Sequence, residues 1–340
     1  MKEAHELNHG TFVPALERMR EPYVETQQQT STVAEPALDE LLEKAIEQYQ
    51  IRDLESSLYN FQQVLRGYRQ HHDLQGEGMA LSGMGLTFYA MGQYAEAIAH
   101  SYQALAIARQ VMDRRTERQA LGNLGNAYRH LNDYPKAIEY KVQSLNVARE
   151  ICDLRGEMAA LNNLGMAYKA MGDHAAAIQY YEQSLRLAQG LKDVQVESQI
   201  WRNLGNAYHS QANYNKTIEC YEELMKLAQS ISDRQMEGQV LKNLASACYS
   251  LGNYEKAVTY HRKRMEIARA LNDYRNEEQA LESLGVIYDS MGNYTLALEC
   301  YEQRLAVARL MDDDRLEEQA IASLKSLCYL IGDYARASRY

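Results

Sequence analysis

The chain has 340 residues, 46% hydrophobic and 24% charged, with only 4 Pro and 19 Gly, a composition that excludes wholesale disorder and the collagen-like or low-complexity classes. Lys+Arg 36 against Asp+Glu 46 gives a formal net charge of −10, which argues against general nucleic-acid binding, since phosphate neutralisation needs a basic surface. Tyr occurs 26 times against 3 Phe and 1 Trp, as expected when one position is copied many times.

Residues 1–33 read as a polar N-terminal extension. The opening MKEAHELNHG has no apolar core of a secretory signal. Phe12, Val13, Leu16 and Met19 make a short amphipathic stretch, and 27–32 reads as a flexible linker. Disorder, a loose capping helix, self-docking into a groove and partner recruitment are all open to this segment. No apolar run in the chain approaches the ~18 residues of a membrane-spanning helix, so a cytoplasmic protein is expected, with peripheral membrane association left open.

From residue 34 a 40-residue period without insertions organises the chain. Leu81, Leu121, Leu161, Trp201, Leu241, Leu281 and Ile321 share one phase. Three residues on come Met84, Leu124, Leu164, Leu204, Leu244, Leu284 and Leu324, followed mostly by Gly and then, three further, by Phe88, Tyr128, Tyr168, Tyr208, Cys248, Tyr288 and Cys328. Spacing i, i+3, i+4, i+7 is one face of an α-helix, here helix A. It should end at Gly92, Asn132, Gly172, Ala212, Gly252, Gly292 and Gly332, where a left-handed residue suits a C-terminus. Asp133, Asp173, Asn213, Asn253, Asn293 and Asp333 then cap a helix B, and Pro135 falls just inside it. Asp113 and its equivalents close helix B, with a Glu four residues on at the start of the next helix A, where the dipole favours acids. The units run 34–73 (degenerate), 74–113, 114–153, 154–193, 194–233, 234–273, 274–313 and a truncated 314–340. Two helices of about 17 residues per unit make an all-α solenoid in which neighbours supply each other's core.

Trp201-Arg-Asn-Leu204-Gly205-Asn-Ala-Tyr208 matches the tetratricopeptide signature W-x2-L-G-x2-Y, and Ala177-x3-Tyr181 and Ala297-x3-Tyr301 match its second half. The chain from 34 to 340 therefore resembles the long-repeat branch of the tetratricopeptide repeat (TPR) family, as in Pins/LGN-type adaptors, kinesin light chains and many bacterial proteins. The resemblance implies a right-handed superhelix of about eight units with a concave groove lined by helix A. On a helical wheel, positions equivalent to 79, 83, 86 and 90 oppose the core positions. They carry Asn123, Asn163, Asn203 and Asn243 in one column and Asn126 and Asn206 in another. Asn in mid-helix costs ~0.7 kcal/mol relative to Ala, so a column in register needs a reason. A carboxamide pairs with both an N–H and a C=O of a peptide, and the resemblance implies such a ladder gripping an extended chain; a solvated polar face inherited from the repeat consensus is the plainer alternative.

Arg129, Lys169, Arg202, Lys242 and His209 flank the column, whereas Glu282 and Asp289 reverse the sign further on. This polarity points to an extended, partly acidic peptide partner. Met79, Leu86 and Ala90 make one end of the groove apolar. Ser338, Arg336 and Arg339 in the short last helix leave two roles for the C-terminal end, a polar cap or a docking surface for another subunit, in self-association, or for a partner.

No P-loop, nucleophile elbow, H-E-x-x-H or C-x-x-C motif is present. His71-His72 reads as surface histidines, and the cysteines Cys152, Cys220, Cys248, Cys300 and Cys328 read as buried thiols at repeat positions. The expectation is a non-catalytic scaffold or adaptor without cofactor or metal. Two other roles stay open: an assembly factor using the convex face and solenoid ends, and a peptide-responsive sensor.

Overall fold

A computed structural model of the chain describes residues 35–340; the readings made for residues 1–33 lie outside them. Among the described residues there is no strand, and sixteen helices follow in order: α1 (Glu35–Gln50), α2 (Leu54–Gln70), α3 (Leu74–Ala90), α4 (Tyr94–Gln110), α5 (Arg114–His130), α6 (Tyr134–Glu150), α7 (Leu154–Ala170), α8 (His174–Leu191), α9 (Val194–Ser210), α10 (Tyr214–Ser230), α11 (Arg234–Ser250), α12 (Tyr254–Ala270), α13 (Tyr274–Ser290), α14 (Tyr294–Leu310), α15 (Asp314–Leu330) and α16 (Tyr334–Ala337). From α3 onward the odd-numbered helices start every 40 residues, as the period requires.

Local chemistry sets the boundaries. Asp73 accepts the N–H of Gly76 at 3.0 Å and Asn253 that of Lys256 at 3.2 Å, satisfying a donor that a helix start would leave bare. The same bond recurs at Asp133, Asp173, Asn213, Asn293 and Asp333, whereas Gln93 makes none. Between α5 and α6, Asn132 takes a φ of 61° and the Asp133 N–H reaches back to the Tyr128 carbonyl at 2.9 Å, the closing bond of a helix C-terminus. The B-to-A turns use non-glycine residues in the same region, Cys152 among them at 54°. That placement corrects one expectation: Cys152 is exposed, while the other four cysteines are buried.

The chain divides into two compact units after Ile200, a boundary inside α9 where the repeat pattern shows no break. In the first unit Phe61, Leu81, Met84, Leu121 and Leu124 form one buried cluster, and Leu145, Leu161 and Leu164 another. In the second, Tyr221, Leu224, Val240 and Leu244 cluster, as do Leu284, Tyr288, Leu298 and Leu324. Each such side chain contributes about 1.5–3 kcal/mol through burial. Arg in the last turn of helix B binds the Glu in the first turn of the next helix A: Arg69–Glu77 at 2.7 Å, Arg109–Glu117 at 2.8 Å and Arg149–Glu157 at 2.7 Å in the first unit, Arg269–Glu277 at 2.6 Å and Arg309–Glu317 at 2.8 Å in the second. The arginines are half-exposed, so each pair is worth at most about 1 kcal/mol; their value is in orienting consecutive repeats.

Helix A and helix B of one repeat interlock through a glycine. A Cβ added at Gly165 would lie 2.5 Å from the Tyr181 ring, at Gly205 2.9 Å from Tyr221, and at Gly285 2.3 Å from Tyr301. The aromatic residue sits 16 positions after its glycine. Lys141 fills this slot over Gly125, Ser101 over Gly85, and His261 stands in it opposite Ala245.

Candidate functional site

The structure sorts the proposed groove residues into open and closed ones. In the first unit, α3 carries Gly76, Gly78, Gly83 and Gly85 and is buried on nearly every side. Its glycines let neighbours come close: a Cβ at Gly83 would meet the Phe61 ring at 2.3 Å. Leu86 is consequently a core residue at 4% exposure, with Met79 half-buried against the same cluster. The expected open apolar end at Met79 and Leu86 is therefore corrected: close packing of α3 closes it.

Asn123 and Asn126 are likewise buried. Asn123 Nδ2 donates to the Ser82 carbonyl of α3 at 3.1 Å, so this amide ties one helix A to the preceding one. Asn126 Oδ1 accepts from Lys141 Nζ, which also donates to the Gly122 backbone carbonyl at 2.9 Å. Lys141 is fully buried, and this burial, then Arg129, drives its amine well below the ordinary lysine range. The open members of the face are Asn163, Arg129 and Lys169, all half-buried. Burial lowers the Lys169 amine from its ordinary value. Arg129 Nη2 donates to His130 Nε2 at 3.0 Å and lies 3.5 Å from the Tyr89 hydroxyl. His130 then keeps its proton on Nδ1, 3.3 Å from the Tyr94 hydroxyl, and stacks on the Tyr94 ring at 5.0 Å. This aromatic shelf holds the guanidinium in place, and burial pushes the Tyr89 phenol up to about 12.

In the second unit Asn203 is buried and Asn206 and Asn243 are half-buried. Asn206 Oδ1 accepts the Tyr221 hydroxyl at 2.7 Å. Lys242 and His209 are exposed, the latter edge-on to Tyr214 at 5.4 Å. Arg202 is half-buried, with Nε enclosed and lacking an acceptor. The sign reversal expected at Glu282 is reduced, because Glu282 Oε1 is 2.9 Å from the buried Arg304 guanidinium. At the last helix, α16 covers four residues; Arg336 Nη2 binds Glu302 at 2.7 Å, and the Tyr340 hydroxyl donates to the same Glu302 oxygen.

Sequence reasoning overlooked the helix B residues that organise this face. Lys141 and Tyr221 hold the asparagine 15 residues earlier from beneath. Tyr181 has Met166 in that place, and its buried hydroxyl has no partner among the described residues. The signal was the A-x3-F/Y slot, in which Ser101, Lys141 and His261 depart from Phe or Tyr.

No helix among the described residues is long and apolar enough to cross a membrane. Tetratricopeptide repeat models match residues 76–150, 116–190, 196–270, 162–224 and 280–315. A search of curated proteins gives no match. Among solved structures, a STAND signal-transduction ATPase with a tetratricopeptide repeat sensor from Pyrococcus horikoshii is similar, with a TM-score of 0.69 and 20% identity. The match covers 89% of this chain and 46% of that one, so the chain spans under half of that protein. Apo RapI matches with a TM-score of 0.57 and 14% identity over 81% of this chain and 99% of its own. A Rap protein complexed with Competence and Sporulation Factor matches with 0.55 and 16% over 86% and 78%. At these identities the likeness is one of fold.

Proposed function

The chain belongs to the tetratricopeptide repeat family of interaction scaffolds, and from that premise we propose that it is a non-catalytic adaptor that binds an extended, partly acidic peptide on the helix A face. The carrying observation is in the first unit. Arg129 and Lys169 stand at equivalent positions of consecutive repeats, half-buried, with no carboxylate within 4 Å among the described residues. Half-buried cations without a counter-charge favour an anionic ligand. Asn163 lies on the same helix as Lys169 and offers donor and acceptor to a peptide backbone. The similarly folded Rap protein seen with Competence and Sporulation Factor supports the reading as a precedent of fold.

A second reading, assembly through an exposed apolar surface, is favoured by Tyr329, Leu330 and Tyr334, which are 57%, 64% and 67% exposed.

The test is fluorescence anisotropy with extended peptides carrying none to four acidic residues. The native protein should prefer the acidic ones, with an affinity that falls as salt rises. Arg129→Ala combined with Lys169→Ala should weaken them about ten-fold or more, equivalent to about 1.4 kcal/mol, and leave neutral peptides unchanged. Equal binding by the double variant would move the function off this face.

A further inference from the structure

Arg264 and Arg304 occupy the same repeat position, 40 residues apart, and both are 2% exposed. Elsewhere this position holds Ala104, Ser144, Ser184 and Leu224. A guanidinium there is enclosed between helices and must find its partners inside the fold. Arg304 finds them: Nε donates to Glu278 at 2.7 Å, Nη2 lies 2.9 Å from Glu282, and Nη1 is 3.4 Å from Ser323 Oγ.

Arg264 is served differently. Its Nη2 donates to the neutral amide oxygens of Asn276 at 2.7 Å and Gln279 at 2.9 Å. Nε and Nη1 are buried and have no acceptor among the described residues. The residues 40 positions before Glu278 and Glu282 are Gly238 and Lys242, so the two carboxylates that serve Arg304 have a glycine and a cation as their counterparts. Asp273 and Glu278 act on Arg264 only through space. Asp273 caps α13 and binds Asn276, and Glu278 is taken by Arg304. One turn before Arg264, His261 is 5% exposed and its Nδ1 also lacks a partner. Burial, then Arg264 and Lys242, bring the imidazole down to about 4, so it stands neutral beside the guanidinium and its tautomer is free to present an N–H.

The position from which a carboxylate enters in the next repeat carries no side chain here. Gly238 is half-buried, and a Cβ there would meet only Ile267 Cγ2, at 3.8 Å. Lys242 beside it is exposed and Gln279 half-buried.

We propose that Arg264, with His261 and Lys242, forms a carboxylate-binding site in the unit from Trp201 to Tyr340, entered beside Gly238, in which a ligand supplies the anion that Glu278 and Glu282 supply to Arg304. The bound carboxylate takes the N–H groups of Arg264 that lack acceptors and lies against the Lys242 ammonium. It comes from a free small acid or from an Asp or Glu side chain of a peptide. The site is built on helix B and stands whether or not the Arg129–Lys169 face takes a peptide.

The test follows the Arg264 Nε–H resonance, assigned with Arg264→Lys, in titrations at constant ionic strength. Sodium acetate is one probe and a blocked Ala-Glu-Ala peptide the other. A saturable shift with either supports the site; saturation by the peptide alone assigns it to a peptide side chain. Gly238→Glu and Lys242→Glu place the carboxylate inside the chain as in the next repeat. Each should weaken the probe about ten-fold or more and raise the melting temperature. These variants remove no core side chain, and their melting temperatures are read without the assignment, so this arm of the test does not depend on Arg264→Lys folding. No saturable shift with either probe, or an undiminished shift in Gly238→Glu, overturns the proposal.

Discussion

The glycine interlock makes opposite predictions for two chemically identical changes in one unit. Gly285 and Gly238 both lie within helix A segments, where Ala is worth about 1 kcal/mol over Gly through propensity alone. At Gly238 the new methyl meets only Ile267 Cγ2 at 3.8 Å, an ordinary contact. Gly238→Ala should therefore stabilise by up to about 1 kcal/mol. At Gly285 the methyl would sit 2.3 Å from Tyr301 Cε1 and 2.7 Å from Cζ, and Tyr301 is 6% exposed. The ring must shift by roughly 1 Å in a packed core, an overpacking cost of about 1–3 kcal/mol. Subtracting the propensity gain leaves Gly285→Ala destabilised by up to about 2 kcal/mol, a separation of about 1–3 kcal/mol between the variants. Trp201, the single tryptophan, belongs to the same unit and reports its unfolding in urea by fluorescence. If Gly285→Ala proves as stable as Gly238→Ala, the interlock does not govern the pairing of these helices.

Three further outcomes follow from buried polar groups. His261 is neutral when folded, with its pKa lowered to about 4 from 6.5 chiefly by burial, so between those values the unfolded state binds the extra proton. Stability is full above pH 6.5 and falls by about 3 kcal/mol on acidification to pH 4; urea midpoints across that range should flatten in His261→Tyr with Ala245→Gly. Lys141 is shifted in the same direction, so the native protein gains stability as pH rises toward the ordinary lysine value of 10.5, and Lys141→Met should abolish that slope in thermal melts. Asn123→Ala removes the donor to the Ser82 carbonyl and should cost about 1 kcal/mol, with faster amide hydrogen exchange at the end of α3; unchanged exchange would refute its role as a tie.

The repeat grammar was legible in the sequence because it is local. A capping Asp or Asn, a left-handed residue and an apolar face act within a few residues of each other, so the helix limits and the buried column from Met84 to Leu324 follow from spacing alone. The solvent access of each polar residue was not legible, because it depends on neighbours from other helices. Asn123 and Asn163 share one repeat position, yet Asn123 is buried and bonded to α3 while Asn163 is half-buried. Asn123 is paired with a backbone carbonyl of α3, a partner that its position in the repeat does not specify. Arg264 and Arg304 share another position, and only the packed structure shows that one guanidinium meets two carboxylates and the other, among the described residues, meets none within ion-pair distance. Periodicity determines which faces meet, since backbone geometry repeats; the side chains on two facing helices together decide whether a buried charge is compensated, and that pairing exists only in the folded chain.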